Sequence, residues 1–404
     1  MTNAIQAALI SLPSRADEPI FGRPLLERMI MLCRRAGIPQ VFIEAGSDER
    51  DRALVALGAF SRDAAVQMVQ SFQDFPEARN LNPATPCVRL SGNLVFMQSQ
   101  LARAMEEYQA QPGTLLSVLS ADREHGGAIA IGPMAALIGD PVSAFPPALS
   151  AVNKMAANPS ALRNPAILPF ALNGKPKDRA EAEVRLARAV RYESASTDAV
   201  MARMIDRRLS WRLSLRLART RITPNQVTLI NTLLGFGCAA LLASTSYGLR
   251  LCGALLFLLS ITLDGVDGEL ARLRMLESRF GARLDVITDN VVHVAIFAGM
   301  AVGCYRLSNS STYLYILAVL LIGFGACAVS VRRAISVARD EAQRWISQVE
   351  RATGRDFAYI LVILAIFNRL YYFVWGAAFG THVFAVSLWW FTDRYRKSAL
   401  APVR

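Results

Sequence analysis

The sequence has few cysteines, and none of them stands at the spacing of a metal site. Six occur in 404 residues, no two form a C-x-x-C pair, and four lie in apolar stretches. This pattern argues against a zinc or redox centre and is typical of buried, reduced thiols. His293 and His382 are isolated in apolar surroundings, so we expect them to pack in the core and not to bind metal.

The N-terminus lacks the features of a secretory signal. No basic residue precedes its short apolar run, MTNAIQAALI, so we expect the first part of the chain to stay in the cytoplasm.

Acidic residues are the minority among the charged ones. The 32 Asp and Glu face 44 Lys and Arg, which gives a net charge of +12. A basic chain raises the question of nucleic-acid binding. Here the arginines flank apolar segments, which favours an anionic lipid surface and predicts no nucleic-acid partner.

Hydrophobic residues are abundant, at 53% of the chain, and the mean hydropathy is +0.30. The length and this bias predict two units. We expect a soluble domain over residues 1–196, a juxtamembrane amphipathic helix with an entry turn over 197–226, and an all-α membrane domain over 227–404.

The first domain alternates short apolar runs with helical patterns. Strands are predicted at residues 7–12, 40–44, 87–90 and 128–131, and helices at 23–37 and 180–191. Strands separated by helices indicate an α/β fold with a doubly wound sheet.

The region before the first apolar span is rich in arginine. Residues 198–221 place Arg between Met, Ile, Leu and Trp211 at helical spacing, which predicts an amphipathic helix in the headgroup layer. Thr223 and Pro224 then have the residue types of a helix start.

Six apolar runs follow, each long enough to cross a hydrocarbon layer of about 30 Å. They lie at residues 227–245, 250–272, 282–304, 312–334, 357–377 and 379–395. Six spans place both ends of the domain on one side. The arginine distribution predicts a multi-pass protein of the inner membrane with its N-terminal domain and its C-terminus in the cytoplasm.

Two of these spans carry four acids near their ends. On the first, Asp264 and Asp267 share a face with Gly268 and Ala271, since a helix turns about 100° per residue. On the second, Asp285 and Asp289 stand one turn apart. Carboxylates that converge at a bilayer edge repel one another, and a divalent cation such as Mg²⁺ or Mn²⁺ removes that cost. The stretch therefore predicts a metal site for a phosphate-bearing substrate.

The full pattern is Asp264-x2-Asp267-Gly268-x2-Ala271-Arg272-x8-Gly281-x3-Asp285-x3-Asp289. It resembles the signature of the CDP-alcohol phosphotransferase family at all eight specified positions. The resemblance implies a CDP-alcohol donor, an alcohol or alcohol-phosphate acceptor, membrane lipids as surroundings and a homodimer. It also implies two metal ions held by the four acids, with Asp289 as the base that removes the acceptor's proton.

The same resemblance assigns the nucleotide side of the site. Gly268, Ala271 and Gly281 are small because the nucleotide lies against helix backbone, and Arg272 offsets charge on the diphosphate. Asn225 is expected at the nucleotide, with a simple helix cap as the alternative.

Arginines at the cytoplasmic helix ends suit an acceptor phosphate. Arg332, Arg333 and Arg355 are the candidates, and positive-inside charge is the alternative explanation. The favoured acceptor is inositol phosphate, followed by glycerol phosphate.

The first domain resembles sugar-phosphate nucleotidyltransferases in the stretch GRPLLERMIMLCRRAGIPQVFIEAG. Residues 12–17 lack the paired glycines of those enzymes, and Gly92-Asn93 replaces their metal-binding Asp. We therefore expect a degenerate domain, and an active one that makes the CDP-alcohol is the alternative. An ion transporter with intramembrane acids and a sensor on an inactive anchor are the remaining alternatives.

Overall fold

The computed structural model describes residues 4–12, 17–72, 82–112, 115–119, 128–138, 169–172, 175, 177–194, 207–337, 346 and 356–399. The chain divides into two compact units. The first comprises residues 1–193 with 273–275, and the second comprises residues 194–272 with 276–404. We call them the sheet unit and the helical unit.

The described residues of the sheet unit form ten strands. Their bounds are β1 Ala7–Ser11, β2 Pro19–Ile20, β3 Arg23–Pro24, β4 Gln40–Glu44, β5 Val66–Val69, β6 Pro86–Ser91, β7 Leu94–Val95, β8 Leu116–Leu119, β9 Ala128–Pro133 and β10 Phe170–Ala171. Six of them form one sheet in the order β5-β4-β1-β6-β9-β8. Strands β1, β4, β5 and β6 run parallel, whereas β9 is antiparallel to both β6 and β8. The predicted α/β class is confirmed, with a mixed sheet.

The α-helices in the described part of the sheet unit are α1 Leu25–Arg35, α2 Arg50–Leu57, α3 Gln98–Ala110, α4 Met134–Ile138 and α5 Asp178–Ser194. The predicted helix start at residue 23 is early, because Arg23 and Pro24 form β3. Its predicted end is confirmed: Gly37 adopts φ +83°, a left-handed conformation that glycine tolerates without strain.

Side chains of opposite charge fill the carboxyl ends of the central strands. Arg89 of β6 is buried; it donates to the Leu137 carbonyl and, at 3.4 Å, to the Ser11 hydroxyl. Ser11 donates to Glu44 at 3.4 Å, and Glu44 also accepts from the backbone N–H of Phe72 at 3.0 Å. We call Ser11, Glu44 and Arg89 the strand-end cluster. Its hydrogen bonds are made within the chain itself.

The helical unit comprises α6 Arg207–Leu217, α7 Pro224–Leu242, α8 Tyr247–Arg274, α9 Arg279–Ser308, α10 Thr312–Val337, α11 Asp356–Ile366 and α12 Leu370–Ala399. Among the described residues, five of these helices (α7 to α10 and α12) are long and apolar enough to cross a membrane. Residues 195–206, which include the start of the predicted amphipathic helix, lie outside the described part.

The predicted fifth span, residues 357–377, is wrong as a single helix. Helix α11 ends at Ile366, and α12 begins at Leu370 and runs on through the predicted sixth span. Asn368 adopts φ +57°, and its N–H donates to Ala365 while that of Arg369 donates to Leu364. A left-handed residue whose neighbours bond back to the last turn ends a helix. The apolar residues on both sides conceal this turn in the sequence.

Glycines bring two pairs of membrane helices into close contact. A methyl group at Gly299 or Gly303 of α9 would collide with the carbonyl oxygens of Ala239 or Leu242 on α7. Gly323 of α10 stands equally close to Thr381 of α12. Small residues let helix backbones approach in this way within membranes.

Candidate active site

The entry to α7 is fixed by a capping box. The Thr223 hydroxyl accepts from the backbone N–H of Gln226, the Gln226 side chain accepts from the Thr223 N–H at 2.9 Å, and Pro224 occupies the first turn. Asn225 takes no part in this capping box, and its Oδ1 would stand 3.0 Å from a methyl group at Gly281. The cap itself is made by Thr223, and Asn225 lies beside the motif glycine.

Three of the four motif acids come together. Asp264 of α8 and Asp285 and Asp289 of α9 each offer a carboxylate oxygen, and these oxygens lie within 4.8 Å of one another. All three side chains are half-buried. We call them the three-acid cluster. Like charges at this spacing repel, so a cation stabilises the arrangement.

Asp267 stands slightly apart from this cluster. It is buried, its Oδ2 accepts from the Thr228 hydroxyl of α7, and its Oδ1 accepts from the Gly268 N–H at 2.6 Å. These bonds hold the carboxylate toward α7. Asp267 therefore links the acid-bearing helix to the first span.

Two cavities meet at the acids. The outer cavity has a volume of about 230 Å³, and its lining includes Asn225, Gly268, Ala271, Arg272, Ser278 and Gly281. The inner cavity has a volume of about 170 Å³ and lies among the helix interiors. Thr228, Asp267 and Asp285 line both. Every residue that the resemblance assigned to the nucleotide thus lines the outer cavity.

The inner cavity contains site residues that the sequence did not reveal. Besides Asp264 and Asp289, it is lined by Asn231, Thr232, Phe257, Ser260, His293 and Phe357. The Ser260 hydroxyl donates to Asn231 Oδ1 at 2.8 Å. The one signal in the sequence was the polar set Thr228, Asn231 and Thr232 at helical spacing within an apolar span.

His293 is fixed one turn beyond Asp289. Its Nδ1 lies 2.7 Å from the Asp289 carbonyl oxygen, which can only accept, so Nδ1 carries the proton. The ring packs against Phe257, with centroids 6.3 Å apart and planes at 89°, and against Phe357 at 5.8 Å. The expectation that His293 only packs is incomplete, because it also lines the inner cavity.

The motif has a second buried acid that faces another element. Glu269 accepts from the hydroxyls of Ser210 at 3.3 Å and Ser214 at 2.7 Å, both on α6. Trp211 of the same helix is buried, whereas Arg212 and Arg216 are exposed. The amphipathic character predicted for this helix is therefore present in its described part.

The arginines proposed for an acceptor phosphate have different surroundings. Arg333 pairs with Asp393 at 2.5 Å and stacks on Trp389, with its guanidinium carbon 3.7 Å from the ring centroid. Arg332 is exposed. Arg355 lies outside the described residues. Neither Arg332 nor Arg333 lines either cavity.

The arrangement suits a hard divalent cation next to a phosphate ligand. Clustered carboxylate oxygens are the donors that such cations prefer. The outer cavity adds what a nucleotide diphosphate requires: close approach to backbone at two glycines, and the Arg272 guanidinium.

Comparison with known proteins agrees with this chemistry. The family model described as CDP-alcohol phosphatidyltransferase matches residues 221–391. The chain is 30% identical over 192 residues to a bifunctional IPC transferase and DIPP synthase of Thermococcus kodakarensis, which covers 46% of this chain and 43% of that protein.

Two shorter relatives were also found. A phosphatidylinositol phosphate synthase of Corynebacterium glutamicum is 34% identical over 84 residues, which is 21% of this chain and 37% of that protein. An archaetidylinositol phosphate synthase of Pyrococcus horikoshii is 29% identical over 135 residues, which is 33% of this chain and 69% of that protein.

The match to the bifunctional relatives spans less than half of their length. The family match, in contrast, contains the whole acid motif and all but the final residues of the membrane helices. The match identifies a CDP-alcohol phosphatidyltransferase domain at residues 221–391 of this chain.

Proposed function

We propose that the chain transfers a substituted phosphate group from a CDP-alcohol to an acceptor hydroxyl and releases CMP, as a step in phospholipid biosynthesis. The observation that carries this proposal is the convergence of Asp264, Asp285 and Asp289 at the junction of two cavities. A displacement at phosphorus needs the leaving and entering groups on opposite sides of the reacting atom. Two cavities that share an acidic wall provide that arrangement.

The outer cavity would hold the cytidine and its diphosphate. Gly268 and Gly281 let the nucleotide lie against helix backbone, while Asn225 and Ser278 offer polar contacts at its rim. Arg272 is exposed beside Gly268 and would pair with phosphate oxygens.

The family generally uses a divalent metal. In this chain Asp264, Asp267, Asp285 and Asp289 would hold Mg²⁺ or Mn²⁺, and we propose two ions. Bound cations of this kind neutralise a diphosphate and the charge that develops on the entering and leaving oxygens.

Asp289 would act as the general base. It belongs to the three-acid cluster and lines the inner cavity, on the side opposite the nucleotide. The acceptor oxygen forms a bond to the β-phosphorus as its proton passes to the Asp289 carboxylate. The bond between the β-phosphorus and the bridging oxygen breaks, and its electron pair leaves with CMP.

We propose inositol phosphate as the acceptor and glycerol phosphate as the second candidate. Two relatives are named for products that contain inositol phosphate. The donor would be CDP-diacylglycerol or a CDP-inositol type compound. Arg332, Arg333 and Arg355 stay candidates for the acceptor phosphate; Arg333 would have to exchange its Asp393 partner to serve.

The test is CMP release by the purified full-length chain. Protein in lipid nanodiscs is incubated with Mg²⁺, labelled CDP-diacylglycerol or CDP-inositol, and either inositol phosphate or glycerol phosphate. We expect CMP release that requires both the metal and an acceptor. No release with any pair of substrates would contradict the proposal.

A bifunctional enzyme is the second candidate, because four relatives carry a bifunctional name. The sheet unit supports the narrower function instead. The strand-end cluster fills the site where open α/β sheets commonly bind ligands. Asn93, at the position of the expected metal-binding Asp, donates to the Leu172 carbonyl at 3.2 Å. We propose a degenerate domain; pyrophosphate release from CTP and inositol phosphate by the full chain would show otherwise.

For location, we propose a multi-pass protein of the inner membrane with its N-terminal domain and its C-terminus in the cytoplasm, working as a homodimer. The basic residues near the acid-bearing helix ends support this orientation, and the five candidate spans support a multi-pass protein. Protease accessibility in inside-out vesicles and the mass of the purified particle test it.

A further inference from the structure

The residues that the resemblance assigns to the nucleotide line the outer cavity, and the inner cavity has further polar residues in its lining. One hydrogen-bond donor group and one acceptor atom belong to residues that line this cavity. The amide N–H donors of Asn231 have no acceptor among the described residues, because Asn231 bonds Ser260 through Oδ1. Because the His293 Nδ1–H donates to the Asp289 carbonyl, the Nε2 atom of this tautomer is an acceptor, and none of the described residues donates to it.

This pair of groups indicates which functional group the cavity recognises. A hydroxyl both accepts and donates, so a ligand that carries hydroxyls can satisfy both Asn231 and His293. An ester or carbonyl oxygen only accepts and would leave His293 unpaired. An ammonium only donates and would leave the Asn231 amide unpaired. An alcohol is therefore the matching ligand.

The volume of the inner cavity and the aromatic part of its lining both suit a ring-shaped ligand. The cavity has a volume of about 170 Å³, and a cavity of roughly 150 Å³ can hold one benzene molecule. Phe257 and Phe357 lie beside His293 and pack against each other at 5.8 Å. Their apolar surface suits the C–H face of a cyclic polyol, while Asn231 and His293 suit its hydroxyl edge.

We infer that the inner cavity binds the hydroxylated ring of a polyol substrate, with Asn231 and His293 as specificity-determining residues and Ser260 as the residue that positions Asn231. This inference rests on the proposed function for the reaction, but it concerns binding of the polyol. The polyol could belong to the acceptor or to the donor, and the experiment distinguishes them.

The first measurement is binding to the full-length protein in nanodiscs with Mg²⁺. The probes are myo-inositol 1-phosphate and ethyl phosphate. Ethyl phosphate carries a phosphate group but has no alcohol hydroxyl. We expect the wild type to bind the inositol phosphate more tightly. Asn231→Leu and His293→Phe should each weaken that binding roughly 5- to 10-fold, the size of one hydrogen bond lost beside an unpaired partner. Their binding of ethyl phosphate should not change.

The second measurement uses turnover. The same variants should raise KM for the polyol substrate with a smaller change in kcat. A rise in KM for the acceptor would mean that the cavity binds the acceptor. A rise in KM for the donor would mean that it binds the polyol of a CDP-polyol. His293→Gln keeps an oxygen acceptor and should restore most of the binding. Ser260→Ala is a smaller change that should leave the fold intact, and we expect a smaller loss of polyol binding.

His382→Phe is the matched control. His382 also bonds a carbonyl one turn earlier, Ala378 at 2.8 Å, but does not line the cavity. Equal loss in this control, or unchanged inositol phosphate binding in Asn231→Leu and His293→Phe, would overturn the inference. If the wild type binds the polyol through Asn231 yet releases no CMP, the inference stands and the proposed function fails. If CMP is released and the variants match the wild type, only the inference fails.

Discussion

The sheet unit and the helical unit each bring several charged side chains together. The sheet unit pairs opposite charges, whereas the helical unit places like charges side by side. In the strand-end cluster, buried Arg89 stands with Glu44, and both groups bond to neighbouring residues of the chain. In the three-acid cluster, Asp264, Asp285 and Asp289 bring like charges within 4.8 Å. The charges of the first arrangement are paired within the chain, whereas like charges repel in the second, and a bound cation would stabilise it.

We expect the largest effect on the three-acid cluster from a substitution of Asp289. We expect Asp289→Asn to lower CMP release roughly 10²- to 10⁴-fold, because the base is lost. The same change removes one like charge, so the variant should unfold at a higher temperature than the wild type when no metal is present. Asp51→Asn, at an exposed position of α2, is the control for both measurements. Full activity in Asp289→Asn would reject its role as base.

Removal of divalent metal tests the same difference in the wild type. Chelation should lower CMP release by roughly 10²- to 10³-fold, since several kcal/mol of charge stabilisation are lost. Hydrogen exchange should quicken in α8 and α9 near the acids and stay unchanged in β1 and β6. Equal quickening in both units would mean that the acids do not hold the metal.

The strand-end cluster is tested by Arg89→Met. The loss of its bonds to the Leu137 carbonyl and to Ser11 should destabilise the sheet unit by roughly 2–3 kcal/mol. Faster amide exchange in β6 would measure it, with CMP release retained. Arg103→Met removes an exposed ion pair with Glu107 and should change little. A loss of transferase activity larger than the loss of folded protein would argue against a purely structural cluster.

The smallest effect concerns the thiols of the sheet unit. Burial raises the pKa of Cys33 and of Cys87 to about 12. Neither should react with iodoacetamide at pH 8.5 until guanidinium unfolds the chain, as mass spectrometry can show. The folded Cys33 thiol keeps its proton where an unfolded one, with an ordinary pKa of 9.0, loses it. Its contribution to stability is therefore present below pH 9 and is lost as the pH rises toward 12.

The acids could be found from the sequence because their spacing follows the helix period and their residue types are rare in apolar spans. The outer cavity followed from the same motif. Asn231, Ser260 and His293 lie on three different helices, so the sequence does not show that they line one cavity. Only the rotation of three packed helices brings them to one space. The ion pair between Arg333 and Asp393 joins α10 and α12 and was hidden for the same reason.

Element boundaries were predicted well where a residue type forces them. Gly37 ends α1, and Thr223 with Pro224 begins α7. The turn at Asn368 was missed, because its left-handed conformation is uncommon and its neighbours are apolar. The mixed sheet was not foreseen either, since the direction of β9 depends on pairing partners that are distant in sequence.

The close contact of α7 and α9 at Gly299 and Gly303 bears on how substrates enter. Backbones that touch directly have no side chains between them that could move aside, so these two helices behave as one rigid wall. Asn231 and His293 belong to that wall, whereas Phe357 comes from the short helix α11. We therefore expect a polyol to enter the inner cavity when the Phe357 ring rotates or when α11 moves. Bulkier or smaller residues at position 357 should then alter association rates more than equilibrium affinity.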